Sequence, residues 1–153
     1  SIEADVTVGE NANGVLIAHG DATCGYALYL KDGVLTHDVN VGQHQILAAN
    51  RKVPAGDRKL TFRAQRSGPN LGDRIIGTLL IDGEDVGQAA FAFGFVNFVS
   101  WSGLDIGMNR SSPVSHYKAP FPFDGVMKKV TVTIEPDQVL DAEATAQVAL
   151  ARE

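Results

Sequence analysis

The sequence predicts an all-β chain, an antiparallel sandwich, and three observations predict it. Apolar and polar residues alternate with a period of two, as in Ile2, Ala4, Val6 and Val8 against Ser1, Glu3, Asp5 and Thr7. Turn signals recur about every 8–12 residues, with Asp-Gly pairs at Asp32-Gly33, Asp82-Gly83 and Asp124-Gly125. Helical periodicity is missing until the last residues.

The elements follow in order. Ser1 to Val8 reads as a half-buried strand, and Asn11-Ala12-Asn13-Gly14 as the turn after it. The apolar run Val15 to Ala18 is a second strand and Tyr26 to Leu30 a third. Lys31-Asp32-Gly33 is a strong hairpin signal, so Val34 to Val39 should return antiparallel. Gln45 to Ala49 is a weaker strand, closed by Val53-Pro54-Ala55-Gly56-Asp57. Lys59 to Gln65 alternates, with Leu60, Phe62 and Ala64 on one face. Ser67 to Asp73 is a loop. Arg74 to Ile81 and Val86 to Phe91 flank the Asp82-Gly83 hairpin. Phe93 to Trp101 is a further strand, and Val126 to Ile134 closes the sandwich.

The sandwich is therefore expected over residues 1–135, followed by an alanine-rich tail over 136–153. Pro136-Asp137 suits a helix N-terminus. The periodicity of Val139, Leu140, Ala144 and Val148 is loose, so the tail is expected to be a thinly apolar helix or frayed chain.

Composition narrows the function classes. At 153 residues, 44% of them hydrophobic and 20% charged, the chain is long and apolar enough for one compact core. A net charge of −5 argues against a nucleic-acid partner, which needs clustered cations. The densest basic group, Arg51-Lys52 with Arg58-Lys59, brackets a turn and reads as its solvated decoration. No run approaches the roughly 18 apolar residues of a membrane helix, so no membrane partner is expected. Cys24 is the one cysteine. It permits no intrachain disulfide and no thiolate zinc site, and it fits cytoplasm or periplasm equally. With no base or cation beside it in sequence, it reads as an inert, half-buried thiol. The chain opens directly in a strand, as expected of a piece of a longer protein.

Generic active-site patterns are missing. His19, His37, His44 and His116 are dispersed, with no His-x-His or His-x-x-x-His spacing. Glu84-Asp85 lies beside a hairpin and does not complete the Glu-x-Asp-x-x-Glu pattern of sandwich glucanases. There is no Gly-x-Ser-x-Gly elbow and no phosphate-cradling glycine loop before a helix.

Several segments, in order, resemble the C-terminal domain of bacterial arylsulfatases. They are Ser1 to Val6, Gly14 to Gly20, Gly25 to Gly33, Gly77 to Glu84, Asp105-Ile106-Gly107, Pro113-Val114-Ser115 and Pro120-Phe121-Pro122-Phe123-Asp124-Gly125. Asp38 to Asn50 departs from the pattern, lacking the expected aromatic and acidic residues. The resemblance implies a jelly-roll, concanavalin-like (laminin-G-like) sandwich that follows an α/β catalytic domain. The parent would hydrolyse sulfate esters with a formylglycine hydrate and a calcium ion, both in that other domain. Its nucleophile motif, Cys-x-Pro-x-Arg or Ser-x-Pro-x-Arg, does not occur here. Cys24 has no proline two residues on, Ser67-Gly68-Pro69-Asn70 ends in Leu71, and Ser111-Ser112-Pro113-Val114 ends in Ser115. No catalytic residue and no resident cofactor is thus expected in this chain.

Three groups are candidate surface sites. Asp105, Asn109 and Asp124 offer oxygens of the kind calcium takes, against the alternative that they are turn residues bonded to their own backbone. Trp101, His116 and Tyr117 are candidates to stack on a sugar or aryl ring, against a role in packing a loop. Phe91, Phe93, Phe95 and Phe98 are too many aromatics for an exposed strand, so some belong to the core and the rest to an apolar patch. That patch would meet the catalytic domain or a second copy. A carbohydrate-binding module is the competing reading, with Trp101, Tyr26, Tyr29 and Tyr117 as its test set.

Overall fold

The computed structural model describes residues 1–68, 74–92, 102–110 and 112–134. Among them are twelve strands and no helix: β1 (Ile2–Val8), β2 (Gly14–Gly20), β3 (Gly25–Lys31), β4 (Val34–Asn40), β5 (His44–Lys52), β6 (Gly56–Arg66), β7 (Ile75–Ile81), β8 (Glu84–Phe91), β9 (Leu104–Ile106), β10 (Met108–Asn109), β11 (Phe121–Pro122) and β12 (Val126–Val132). The expected strand at Phe93 to Trp101 and the tail over 136–153 lie outside the described residues.

Two five-stranded antiparallel sheets face each other. One has the order β12-β1-β6-β7-β8 and the other β5-β4-β3-β2-β9. β5-β4-β3-β2 of the second sheet and β6-β7-β8 of the first are successive hairpins, which follows from the turn chemistry. Asp32 and Gly33 have φ of 51° and 79°, and Asp82 and Gly83 have 53° and 86°. Two successive left-handed residues make the turn whose twist matches the strands it joins, and Asp-Gly supplies both at little steric cost.

Between the sheets lies the main core. Ile2, Ala4, Val6 and Val8 of β1 join Leu60, Phe62, Leu79, Ile81 and Val86 from the first sheet. Leu16, Leu28, Leu30, Leu35, Val39 and Leu47 meet them from the second. β1 has the burial the sequence predicts, its residues alternating buried and half-buried. β2, β3 and β4 are buried almost throughout instead. The middle strands of the second sheet are covered on both faces, while β5 and β9 at its edges are largely exposed.

What covers the middle strands is the segment from β9 to β12. β9 pairs with β2, and the short β10–β11 ladder follows. The Gly107 amide donates to the Leu16 carbonyl at 3.1 Å, and the Asp124 amide to the Asn13 carbonyl at 2.9 Å. Gly14 permits this seat. Its φ is 114°, and a Cβ there would overlap the backbone of Pro122 and Phe123. Beneath the segment, Val15, Ala18, Ala27 and Tyr29 pack on Val114 and Tyr117 as a second, smaller core.

Candidate functional site

The outer face of the β5-β4-β3-β2-β9 sheet carries the most structured polar chemistry of the described residues. Strand alternation decides which groups it holds. Along β4, Leu35, His37 and Val39 point between the sheets, so Thr36, Asp38 and Asn40 point outward, under the covering segment. All three are buried, and Asp38 is fully so.

A burial of that kind demands partners. Asp38 Oδ2 accepts from the Ser115 hydroxyl at 2.5 Å and pairs with His44 Nδ1 at 2.7 Å. The Ser115 and Tyr29 hydroxyls bond at 3.1 Å. His44 in turn lies against His116, ring centroids 4.2 Å apart and tilted by 40°. The result is a continuous chain from the buried Tyr29 through Ser115 and Asp38 to two surface imidazoles. Burial raises the Tyr29 pKa, an effect that the Ser115 hydrogen bond partly offsets. The order differs from that of a hydrolytic triad. There, histidine stands between serine and aspartate; here, aspartate stands between serine and histidine. In this chain the Ser115 hydroxyl is bonded to the carboxylate and not to an imidazole.

Beside it runs an open groove lined by Asn13, Lys31, Asp32, His116, Tyr117 and Phe121. Lys31 Nζ donates to the His116 carbonyl at 3.0 Å. Tyr117 contributes little surface. It is 9% exposed, stacks on Phe121 at 4.9 Å and edge-on to Tyr29 at 5.1 Å, and its hydroxyl donates inward to Asn109 Oδ1 at 3.0 Å. Burial pushes that hydroxyl well above the ordinary tyrosine value. Of the proposed stacking residues, then, His116 is exposed, Tyr117 packs the loop, and Trp101 lies outside the described residues.

The three candidate oxygen donors are each bonded within the protein. Asp105 Oδ1 accepts from Arg110 Nε at 2.7 Å, and Oδ2 accepts from the Arg110 amide at 2.9 Å and Asn109 Nδ2 at 3.4 Å. Burial alone would raise the Asp105 pKa, but these bonds outweigh it and hold the carboxyl below its usual range. Asp124 is turned to the Asn13 amide, which reaches both its oxygens at 2.9 and 3.0 Å. The carboxylates are engaged in shaping turns. Among the described residues, no three His, Cys, Asp or Glu side chains are grouped to hold a metal ion.

Phe91 belongs to the core, 3% exposed and edge-on to Phe62 and His37, so it is no part of a docking patch. Phe93, Phe95 and Phe98 lie outside the described residues. The basic cluster is decoration of the kind expected. Arg58 bonds the carbonyls of Pro54, Ala55 and Asp57, and Arg51 pairs with Glu84 at 2.6 Å. Asp38, His44 and Ser115 are the residues sequence reasoning missed. The available signal was an acidic residue inside a strand bounded by apolar neighbours on its other face.

No protein-family model matches this sequence, and no curated protein matches it significantly.

Proposed function

We propose that the chain is a non-catalytic accessory domain, the C-terminal sandwich of a formylglycine-dependent arylsulfatase, packing on a catalytic domain supplied by the same polypeptide. The same reading carries the jelly-roll, concanavalin-like assignment of the fold. One observation supports it above the rest. The residues that carry the resemblance near the end of the chain are those that build the second core. Val114 is fully buried on Tyr29, Ser115 is bonded to Asp38, and Phe121 stacks on Tyr117. A motif used for internal architecture is what a structural module of a larger enzyme would keep. The chain also has no Cys-x-Pro-x-Arg or Ser-x-Pro-x-Arg.

The sugar-binding alternative has less support. Such a module needs a solvent-facing aromatic platform, whereas Tyr29 and Tyr117 are buried and Tyr26 packs toward the main core.

Hydrolysis of an aryl sulfate separates the readings. The isolated 153-residue chain should release no product, and the complete gene product from which it derives should do so. Activity in the isolated chain, or inactivity of a gene product carrying an intact formylglycine motif, would overturn the assignment.

A further inference from the structure

We propose that His44 and His116 bind a divalent transition-metal ion, with the buried Asp38 carboxylate holding His44 in the ligating orientation. This goes beyond the accessory-domain reading and does not depend on it.

The tautomer comes first. Asp38 Oδ2 lies 2.7 Å from His44 Nδ1, and a carboxylate only accepts hydrogen bonds when ionised. Donation from His44 Nδ1 to that carboxylate is the tautomer this proposal requires, and in the neutral ring it leaves the Nε2 lone pair for a ligand. The side chain is 29% exposed, whereas that of Asp38 is fully buried. The carboxylate is thus a support behind the ring and not a competitor at its outer edge. A carboxylate behind a ligating imidazole is the usual arrangement at protein metal sites, where it fixes ring orientation and raises basicity. Asp38 is itself held, through its bond from Ser115.

The second ligand stands beside the first. His116 is exposed, with its ring centroid 4.2 Å from that of His44. Imidazole nitrogens ligate such ions at about 2.0–2.1 Å, which places two of them roughly 3–3.5 Å apart. The proposal requires the exposed His116 ring to turn so that one of its nitrogens comes to that spacing from a nitrogen of His44. Two cations line the same groove: Lys31, whose Nζ is tied to the His116 carbonyl, and Lys118.

Ligand type sets the metal class. Two neutral imidazoles suit Zn²⁺, Ni²⁺ and Cu²⁺, with Cu²⁺ the tightest, and do not suit Ca²⁺ or Mg²⁺. With two protein ligands, the remaining positions are open to water or to an oxygen of a bound molecule. Protons compete for both lone pairs, so affinity should fall as pH falls.

Titration with Cu²⁺, followed by electron paramagnetic resonance, tests this on the chain as it stands. One ion per chain is expected, with nitrogen splitting from two imidazoles. His116→Ala, at an exposed side chain, should leave one nitrogen and weaken binding at least tenfold. Asp38→Asn should weaken it by about 10–100-fold while leaving two nitrogens. Zn²⁺ should raise the melting temperature of the parent chain and not that of His116→Ala. Unsaturable Cu²⁺ uptake, or binding and splitting unchanged in the His44→Ala/His116→Ala double variant, would overturn the proposal.

Discussion

His37 and Asp38 are neighbours on one strand, both buried and both titratable, yet the two faces of the sheet treat them in opposite ways. His37 enters the main core. Its ring stacks on Phe62 with centroids 3.5 Å apart and planes 6° from parallel, and Phe91 meets it edge-on at 5.9 Å. Nδ1 has no hydrogen-bond partner among the described residues. Burial pushes its pKa down to about 3, so the ring is held neutral and acts as an aromatic. Asp38 enters the second core, where Ser115 and His44 converge on one of its oxygens. The apolar face holds its titratable group neutral; on the polar face Asp38 Oδ2 is bonded twice, while Oδ1 has no hydrogen-bond partner among the described residues.

The largest expected effect breaks this contrast on the His37 side. Unfolded, the imidazole takes up its proton near 6.5; folded, only near 3. Between those values the unfolded chain binds more protons, so stability falls as pH falls. His37 contributes fully above 6.5, loses about 2 kcal/mol of that by pH 5, and loses on the order of 4–5 kcal/mol by pH 3. Carboxylates such as Asp105, held below their usual range, act only at the acidic end of that window. Denaturant unfolding at pH 7 and pH 5 measures the difference. His37→Phe, which keeps an aromatic in the stack, should abolish most of it and leave stability at pH 7 nearly unchanged.

On the other face, Ser115→Ala should cost about 1.5–3 kcal/mol at neutral pH. It removes the hydroxyl that donates to the buried carboxylate and is the partner of the Tyr29 hydroxyl. Its cost should vary little between pH 7 and pH 6, unlike the His37 effect, and the same unfolding experiment reads it.

Gly77→Ala sharpens the comparison with a smaller, purely steric change. A Cβ there would overlap the Phe91 ring and lie 2.8 Å from Cε2 of Phe62. We expect a loss of about 1–3 kcal/mol from overpacking, with no polar group altered. Near-ultraviolet circular dichroism should change with it, because the Phe62–His37–Phe91 stack must shift.

These contrasts also show what was legible in the sequence. The hairpins at Asp32-Gly33 and Asp82-Gly83 were, because the turn needs two left-handed residues and few pairs supply them. The alternation of β1 was legible because only one of its faces is buried. β9 and the β10–β11 ladder were not, since strands of two or three residues carry no period. The polar chain was illegible for a different reason. Asp38, His44 and Ser115 meet only because the chain crosses the sheet a second time after β9, with Ser115 77 residues from Asp38. Asp105, Asn109 and Asp124 were found as oxygen-rich positions, but residue type does not distinguish a ligand from a turn brace. Arg110 and the Asn13 amide decide that.

The intact mass of the gene product in its native host tests the proposal that this sandwich is the accessory end of a sulfatase. A chain of several hundred residues with a Cys-x-Pro-x-Arg or Ser-x-Pro-x-Arg motif ahead of Ser1 is expected. A mature product of about 153 residues would contradict it and return the fold to the sugar-binding reading.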